Sequence, residues 1–240
     1  MALASEDIAD SHRATLLGPV WQLLNYLLFA GTIIFIFGRH APGVNFMAYV
    51  AVGYLVWQFI SDTLSQSATL FVREASFIQG TVLPISIYVL RQTMRTAIRS
   101  AYALIGAVPL VLFSGVDITP AVLSILPAAL LLLLTAPGVA ILFALAGVFF
   151  RDFQQMVTHS VRLLMFITPI FWVGSGGDGF RGFLYHWNPL THYIEIVREP
   201  VVSGIVPLNS WAVALASSVL ISVTALLALG KFNRKIVFWV

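Results

Sequence analysis

Three arginines, Arg91, Arg95 and Arg99, recur every fourth residue, so on a helix they share one face. Such a face can anchor the chain on anionic lipid, or it can gather a phosphate-bearing molecule from the membrane surface. A second stripe, Gln155, His159, Arg162, Phe166 and Pro169, falls on one side of a helix. If that helix enters the membrane near Gln154, Arg162 lies about 12 Å deep. A charge at that depth is costly unless it faces water, an anion or a partner, or snorkels back to the interface. Other chemistries lack their parts. Val173-Gly174-Ser175-Gly176 is the nearest approach to an intramembrane serine-protease element, with Val where such an element needs Gly. The chain has no Cys and no His-Glu-x-x-His, and Asp62 is the one acid within or near the apolar part of a span. A Gly-x-x-x-x-Gly-Lys-Ser/Thr loop is missing too, so any ATP hydrolysis must come from another polypeptide. This chain is therefore expected not to be an enzyme and to hold no metal or cofactor of its own. Nothing in it calls for a nucleic acid.

The elements that must position these residues are set by hydrophobicity. Hydrophobic residues make up 59% of the chain and charged residues 10%, with a mean hydropathy of +0.93. A soluble domain carries roughly a quarter charged residues. Apolar stretches free of Asp, Glu, Lys and Arg recur along the chain, and a spanning helix needs about 20 such residues. The pattern predicts an all-α polytopic membrane protein forming one domain over 1–240. Six spans are expected, at about 19–38, 46–70, 97–115, 121–150, 154–173 and 209–230. The first is too long for the apolar region of a signal peptide and lacks a basic start, so it reads as a retained span. Under this plan most Lys and Arg fall on the side of the two termini, and only Arg39, Arg181 and Arg198 fall opposite. Basic flanks favour the cytoplasm, so both termini are expected there.

The joints differ in character. Ile118 to Phe150 exceeds one membrane thickness, and Pro127 and Pro137 are expected to bend it. Val72 to Pro84 is the main cytoplasmic loop. Within it Arg73, Glu74, Phe77, Ile78 and Gln79 form a short, mixed stretch suited to a groove on a soluble partner, or to a plain surface loop. Gly174 to Pro207 is too apolar for a free loop. Its Trp187-Asn188-Pro189 start signal predicts a helix with Leu190, Tyr193, Ile194, Val197 and Val201 on one face. Helices dipping back into the outer leaflet fit this segment, since irregular backbone at depth needs protein cover. Aromatic residues crowd spans one, two and five, among them Tyr26, Phe29, Tyr54, Trp57, Phe166, Phe171 and Trp172. They can pack, form interfacial belts, or line a path along which sugar rings slide.

The chain resembles the membrane subunit of polysaccharide-exporting ABC transporters of the ABC-2 type, which export O-antigen, capsule or teichoic acid. The similarity runs over almost the whole length. It rests on Arg13-Ala14-Thr15-Leu16-Leu17-Gly18-Pro19-Val20-Trp21, Phe150-Arg151-Asp152-Phe153-Gln154-Gln155 and Phe166-Ile167-Thr168-Pro169-Ile170-Phe171-Trp172. It continues in Trp187-Asn188-Pro189-Leu190-Thr191-His192-Tyr193-Ile194-Glu195, Arg198-Glu199-Pro200 and Arg234-Lys235-Ile236-Val237-Phe238-Trp239. One departure is a short, acidic segment before Arg13, where the family has a longer basic interfacial helix. The resemblance implies a homodimer in the bacterial inner membrane, with two separate nucleotide-binding ATPase subunits that hold the ATP and Mg. It implies a polyprenyl-pyrophosphate-linked glycan as substrate, in contact with membrane lipids. Arg73, Glu74, Phe77, Ile78 and Gln79 would couple to the ATPase. Arg13, Arg91, Arg95, Arg99, His159 and Arg162 would line the head-group path. Tyr26, Phe29, Tyr54, Trp57, Gln155, Phe166, Phe171 and Trp172 would line the channel. The residues leave two other classes open: export of a drug or small lipid, and a membrane enzyme of lipid modification.

Overall fold

The computed structural model describes residues 20–38, 45–80, 83–173 and 179–239, with side chains described as far as Phe232. Arg13, the expected N-terminal interfacial segment and the Gly174–Asp178 stretch lie outside the described residues. The helices are α1 (Val20–Phe37), α2 (Phe46–Ser67), α3 (Leu70–Arg73), α4 (Ala75–Gly80) and α5 (Ile85–Phe113). A 3-10 turn (Pro120–Ser124) leads into α6 (Ile125–Phe149), followed by α7 (Phe153–Ile167), α8 (Phe180–Trp187), α9 (Pro189–Val202) and α10 (Leu208–Trp239). No strand occurs among the described residues.

Four of these helical stretches are long and apolar enough to cross a membrane: Val20–Phe37, Ile85–Phe113, Pro120–Phe149 and Leu208–Phe232. The chain is a multi-pass membrane protein by that measure. The other two expected spans differ for identifiable reasons. At 22 residues α2 is long enough, but its second half carries Gln58, Asp62 and Gln66. The 15 residues of α7 reach only about 22 Å, because Pro169 cannot continue the ladder. Boundaries shift elsewhere. The third helix begins at Ile85, twelve residues before the expected 97, directly after Pro84 at its N-cap. Pro137 does not interrupt α6, and Pro127 sits in its first turn, where no ladder bond is lost.

Most of the bundle is organised around α2, which packs against α1, α5, α6, α7 and α9. At the α9 end, Val52, Val56, Trp57 and Ile60 of α2 meet Ile170, Ile194, Ile196, Val197 and Val201 in one buried cluster. At the α3–α4 end, Leu70, Phe71 and Ile78 meet Ile85, Tyr88 and Val89 of α5 and Ala140, Ile141, Ala144 and Leu145 of α6. Small residues let the backbones approach, as expected where lipid supplies no hydrophobic drive between helices. Ala103 and Ala107 of α5 are buried against Tyr26 and Ala30 of α1. Gly147 of α6 has the closest approach, to the Ala68 carbonyl at the end of α2. Asn45 joins two helix ends: its side chain accepts from the Ala48 N–H at 3.3 Å and donates to the Ser114 carbonyl at 2.6 Å.

Candidate functional site

The stretch expected to couple to a partner folds as two short helices. Ile78 is buried in the bundle, which leaves Phe77 and Gln79 on the outside, the Phe77 ring 58% exposed. Arg73 and Glu74 are placed differently. The Arg73 guanidinium donates from Nη2 to Gln92 Oε1 at 3.0 Å, from Nη1 to Gln66 Oε1 at 3.4 Å and from Nε to Glu74 Oε1 at 3.5 Å. Glu74 is buried, and its other oxygen lies 3.9 Å from Arg91. Gln92 in turn donates to Thr96 at 3.3 Å. The Arg91, Arg95 and Arg99 ladder predicted from spacing does lie on one helix, α5. Its side chains are half-buried, and its first member engages the α3–α4 element. Burial and the neighbouring Arg95 hold the Arg73 guanidinium below its ordinary pKa, while Glu74 opposes that shift.

The stripe on α7 follows the spacing for four of its five members; Pro169 lies beyond the end of the helix and is buried. Val157 packs inward and Val161, Leu164 and Met165 line the α9-end cluster. Gln155, His159, Arg162 and Phe166 point outward and are exposed. Arg162 makes no hydrogen bond or ion pair among the described residues. A cation on an outward face of a membrane helix can receive an anion, or the polar face of another protein.

Three of the expected aromatic residues stack, and a fourth is tilted against them. Tyr54 of α2 lies with its ring centroid 4.4 Å from Phe29 and 5.6 Å from Tyr26 of α1. Phe29 reaches Phe171, beyond α7, at 5.7 Å. Phe29, Tyr54 and Phe171 are half-buried at the edge of this stack. Tyr26 and Trp57 do not face outward; both are enclosed by the protomer. The Tyr26 hydroxyl donates to the Ala51 carbonyl at 2.6 Å, because a phenol inside an apolar bundle needs an acceptor. Trp172 is half-buried and spends its indole N–H on the Phe166 carbonyl at 3.0 Å.

Sequence reasoning missed a second polar group on α9. The helix does start at the Asn188 cap, whose side chain accepts from Leu190 N–H at 3.0 Å. Yet it is buried on every side from Thr191 to Arg198 rather than along one face. His192, Glu195 and Arg198 are therefore interior, although Arg198 reads as an external basic residue in the sequence. The Arg198 guanidinium is fully buried, 3.8 Å over the Tyr49 ring, and donates to the Pro169 carbonyl at 2.6 Å. Ser210 of α10 donates to Glu195 and lies 3.1 Å from His192 Nδ1. Burial, partly offset by the Ser210 hydrogen bond, pushes the Glu195 carboxyl above its usual range. Three ionisable residues at three-residue intervals between Pro189 and Pro200 were the available signal. Among the described residues no three His, Cys, Asp or Glu side chains gather as a metal site.

The comparisons with known proteins concern the chain as a whole. The family model described as ABC-2 type transporter matches residues 1–201. The chain is 22% identical to a Klebsiella pneumoniae protein named O-antigen export system permease protein RfbA, across 98% of this chain and 92% of that one. It is 26% identical to the Escherichia coli polysialic acid transport protein KpsM, across 78% of this chain and 75% of its relative. With the family model covering most of its length and four apolar helices of spanning length, the chain belongs to the ABC-2 type transporter family.

Proposed function

We propose that this chain is the permease subunit of an ABC transporter that exports a polyprenyl-pyrophosphate-linked polysaccharide, such as O-antigen, across the bacterial inner membrane. Near-end-to-end similarity to a protein named as an O-antigen export permease carries this reading. Two copies face each other across the outward stripe of α7, whose Gln155, His159, Arg162 and Phe166 are exposed. All six expected spans cross. The helix α2, whose Gln58, Asp62 and Gln66 are half-buried, packs among α1, α5, α6, α7 and α9, and the short α7 is completed by the segment after Pro169. Both termini lie in the cytoplasm, together with α3, α4 and the start of α5.

Two ATPase subunits dock on α4, where Phe77 offers an exposed ring. The buried Glu74 and the Arg73–Gln92 hydrogen bond transmit movement to α5. ATP and Mg stay in the partner. A pyrophosphate head group entering between Arg162 and the basic start of α5 meets favourable charge. The glycan then slides past Phe29, Tyr54 and Phe171, whose ring faces suit sugar C–H surfaces.

Purification of the tagged chain from its native host tests this reading. An ATPase should co-purify, and mass spectrometry of bound lipid should find a polyprenyl-linked glycan. Recovery of a small lipid or drug that stimulates the ATPase would move the chain to another branch. Glycolipid conversion without ATP would make it an enzyme.

A further inference from the structure

Two helices of spanning length, α5 and α6, part over a groove of about 290 Å³. Ala97 and Ala101 line its α5 side and Ala129 its α6 side, and such short side chains do not close it. Elsewhere on α5 small residues draw backbones together, as where Ala103 and Ala107 pack on Tyr26 and Ala30. Here they leave space instead. Val56 and Phe59 of α2 and Val197 of α9 form a buried floor. At the rim, Ala101, Leu104, Ala129 and Leu133 are exposed, so the groove opens on the lipid-facing surface of α5 and α6. Along α6 it runs from Ile125 to Leu133, about 12 Å at 1.5 Å per residue.

The walls decide what can enter. A buried water typically needs about three polar partners, and Ser100 is the one polar residue lining the groove. The Ser100 hydroxyl is buried and makes no hydrogen bond among the described residues. Away from water that is costly. A second cavity, of about 180 Å³, shares Phe59 and Leu132 as walls but differs on both counts. None of its lining residues is exposed. Its hydroxyls are spent inside the protein: Thr63 on the Phe59 carbonyl, Thr135 on the Leu131 carbonyl, and Tyr193 with Ser218. Only the α5–α6 groove combines an opening to lipid with a hydroxyl still lacking its partner.

Ser100 also stands at a definite level. It directly follows Arg99, the last charged residue of α5, where the helix passes from polar to apolar sequence. The ester groups of a bilayer lipid occupy that same boundary, with hydrocarbon beyond. An acyl ester therefore supplies both things the groove lacks, a chain for the apolar walls and an oxygen for the hydroxyl. A polyisoprenoid chain carries no oxygen along its length and leaves Ser100 unmatched.

We propose that the α5–α6 groove binds one acyl chain of a membrane glycerophospholipid, whose ester carbonyl accepts a hydrogen bond from Ser100. The site stands on the spanning helices and is independent of what the protein exports. The test uses the full chain in vesicles of phosphatidylethanolamine and phosphatidylglycerol, with a trace of phospholipid carrying a diazirine in one acyl chain. After irradiation, peptide mapping should find residues 97–104 and 125–133 labelled roughly tenfold above Leu226 and Leu227, which are exposed on α10. Ala101→Phe with Ala129→Phe fills the groove and should lower its labelling roughly tenfold, leaving α10 unchanged. Ser100→Ala keeps the shape and should lower it about two- to tenfold, as loss of one hydrogen bond would. If the filled variant fails to give a monodisperse peak, Ser100→Ala alone decides.

Even labelling of the groove and α10 would mean ordinary surrounding lipid and overturn the proposal, as would unchanged labelling in Ser100→Ala. Displacement of the label by excess polyprenyl phosphate, but not by unlabelled phospholipid, would give the groove to a prenyl chain and overturn it too. A disulfide between two copies carrying Leu133→Cys would make the groove a protein interface, with the same consequence.

Discussion

Gly147→Ala puts the packing of α6 against the end of α2 to a quantitative test. A Cβ added at Gly147 would lie 1.9 Å from the Ala68 carbonyl oxygen and 3.0 Å from its carbonyl carbon. Even a favourable carbon–oxygen contact needs about 3.3 Å. The two backbones must therefore part by about 1.4 Å, the difference between those oxygen distances. Neither atom belongs to a flexible side chain that could swing aside. Overpacking typically costs about 1–3 kcal/mol, and a backbone clash belongs at the upper end. For a domain of this size, roughly 3 kcal/mol lowers the melting temperature by about 6–12 °C. Thermal unfolding of the detergent-purified protein, followed by loss of the monodisperse peak, reads this directly. Gly31→Ala supplies the internal control, since nothing lies within 4 Å of its added Cβ. There the exchange should be neutral or stabilising by about 0.5–1 kcal/mol, the ordinary gain from replacing a helical glycine. Equal melting temperatures for the two variants would refute the close approach of α6 to α2.

Four further outcomes follow from other parts of the structure. Phe77→Ala removes an exposed ring and should leave thermal stability within about 0.5 kcal/mol, while co-purification of the ATPase falls roughly tenfold. Glu74→Gln should do the reverse: its ion pairs at 3.5 and 3.9 Å are long and partly solvated, each worth up to about 1 kcal/mol, so the ATPase stays bound but loses its stimulation. Arg162→Ala should leave the amount of chain in the membrane unchanged and cut glycan export by about 10- to 100-fold, as loss of one charged hydrogen bond of about 1.5–3 kcal/mol would; unaltered export would mean that Arg162 only snorkels. Glu195, outside the spanning helices, has a carboxyl raised by burial. Its contribution to stability is therefore full below the ordinary carboxylate range and lost as pH rises through the elevated folded value. Melting temperature should fall across that rise in the parent and stay flatter in Glu195→Gln, and parallel profiles would contradict the buried placement.

The long apolar helices were legible because composition alone commits about 20 residues to lipid, whatever they pack against. The outward stripe of α7 was legible for a related reason: a 3.6-residue period fixes which residues share a face. What periodicity cannot supply is the neighbour. Glu74 and Phe77 sit three residues apart in the same short loop, and only the fold turns one onto α5 and the other outward. Tyr26 and Phe29 likewise share a helix, yet contact with Ala51 draws the first inside. For α9 the pattern misleads. Its apolar face was visible, but Arg198 read as an external basic residue, and nothing in the spacing placed His192 and Glu195 inside. Their burial depends on partners distant in sequence: Tyr49, Pro169 and Ser210.

Deletion of the gene in its native host, with the glycan followed on both sides of the inner membrane, tests the central claim most directly. The account predicts that lipid-linked polysaccharide accumulates on the cytoplasmic side and disappears from the cell surface, and that the wild-type gene restores it. Normal surface glycan in a clean deletion would contradict it.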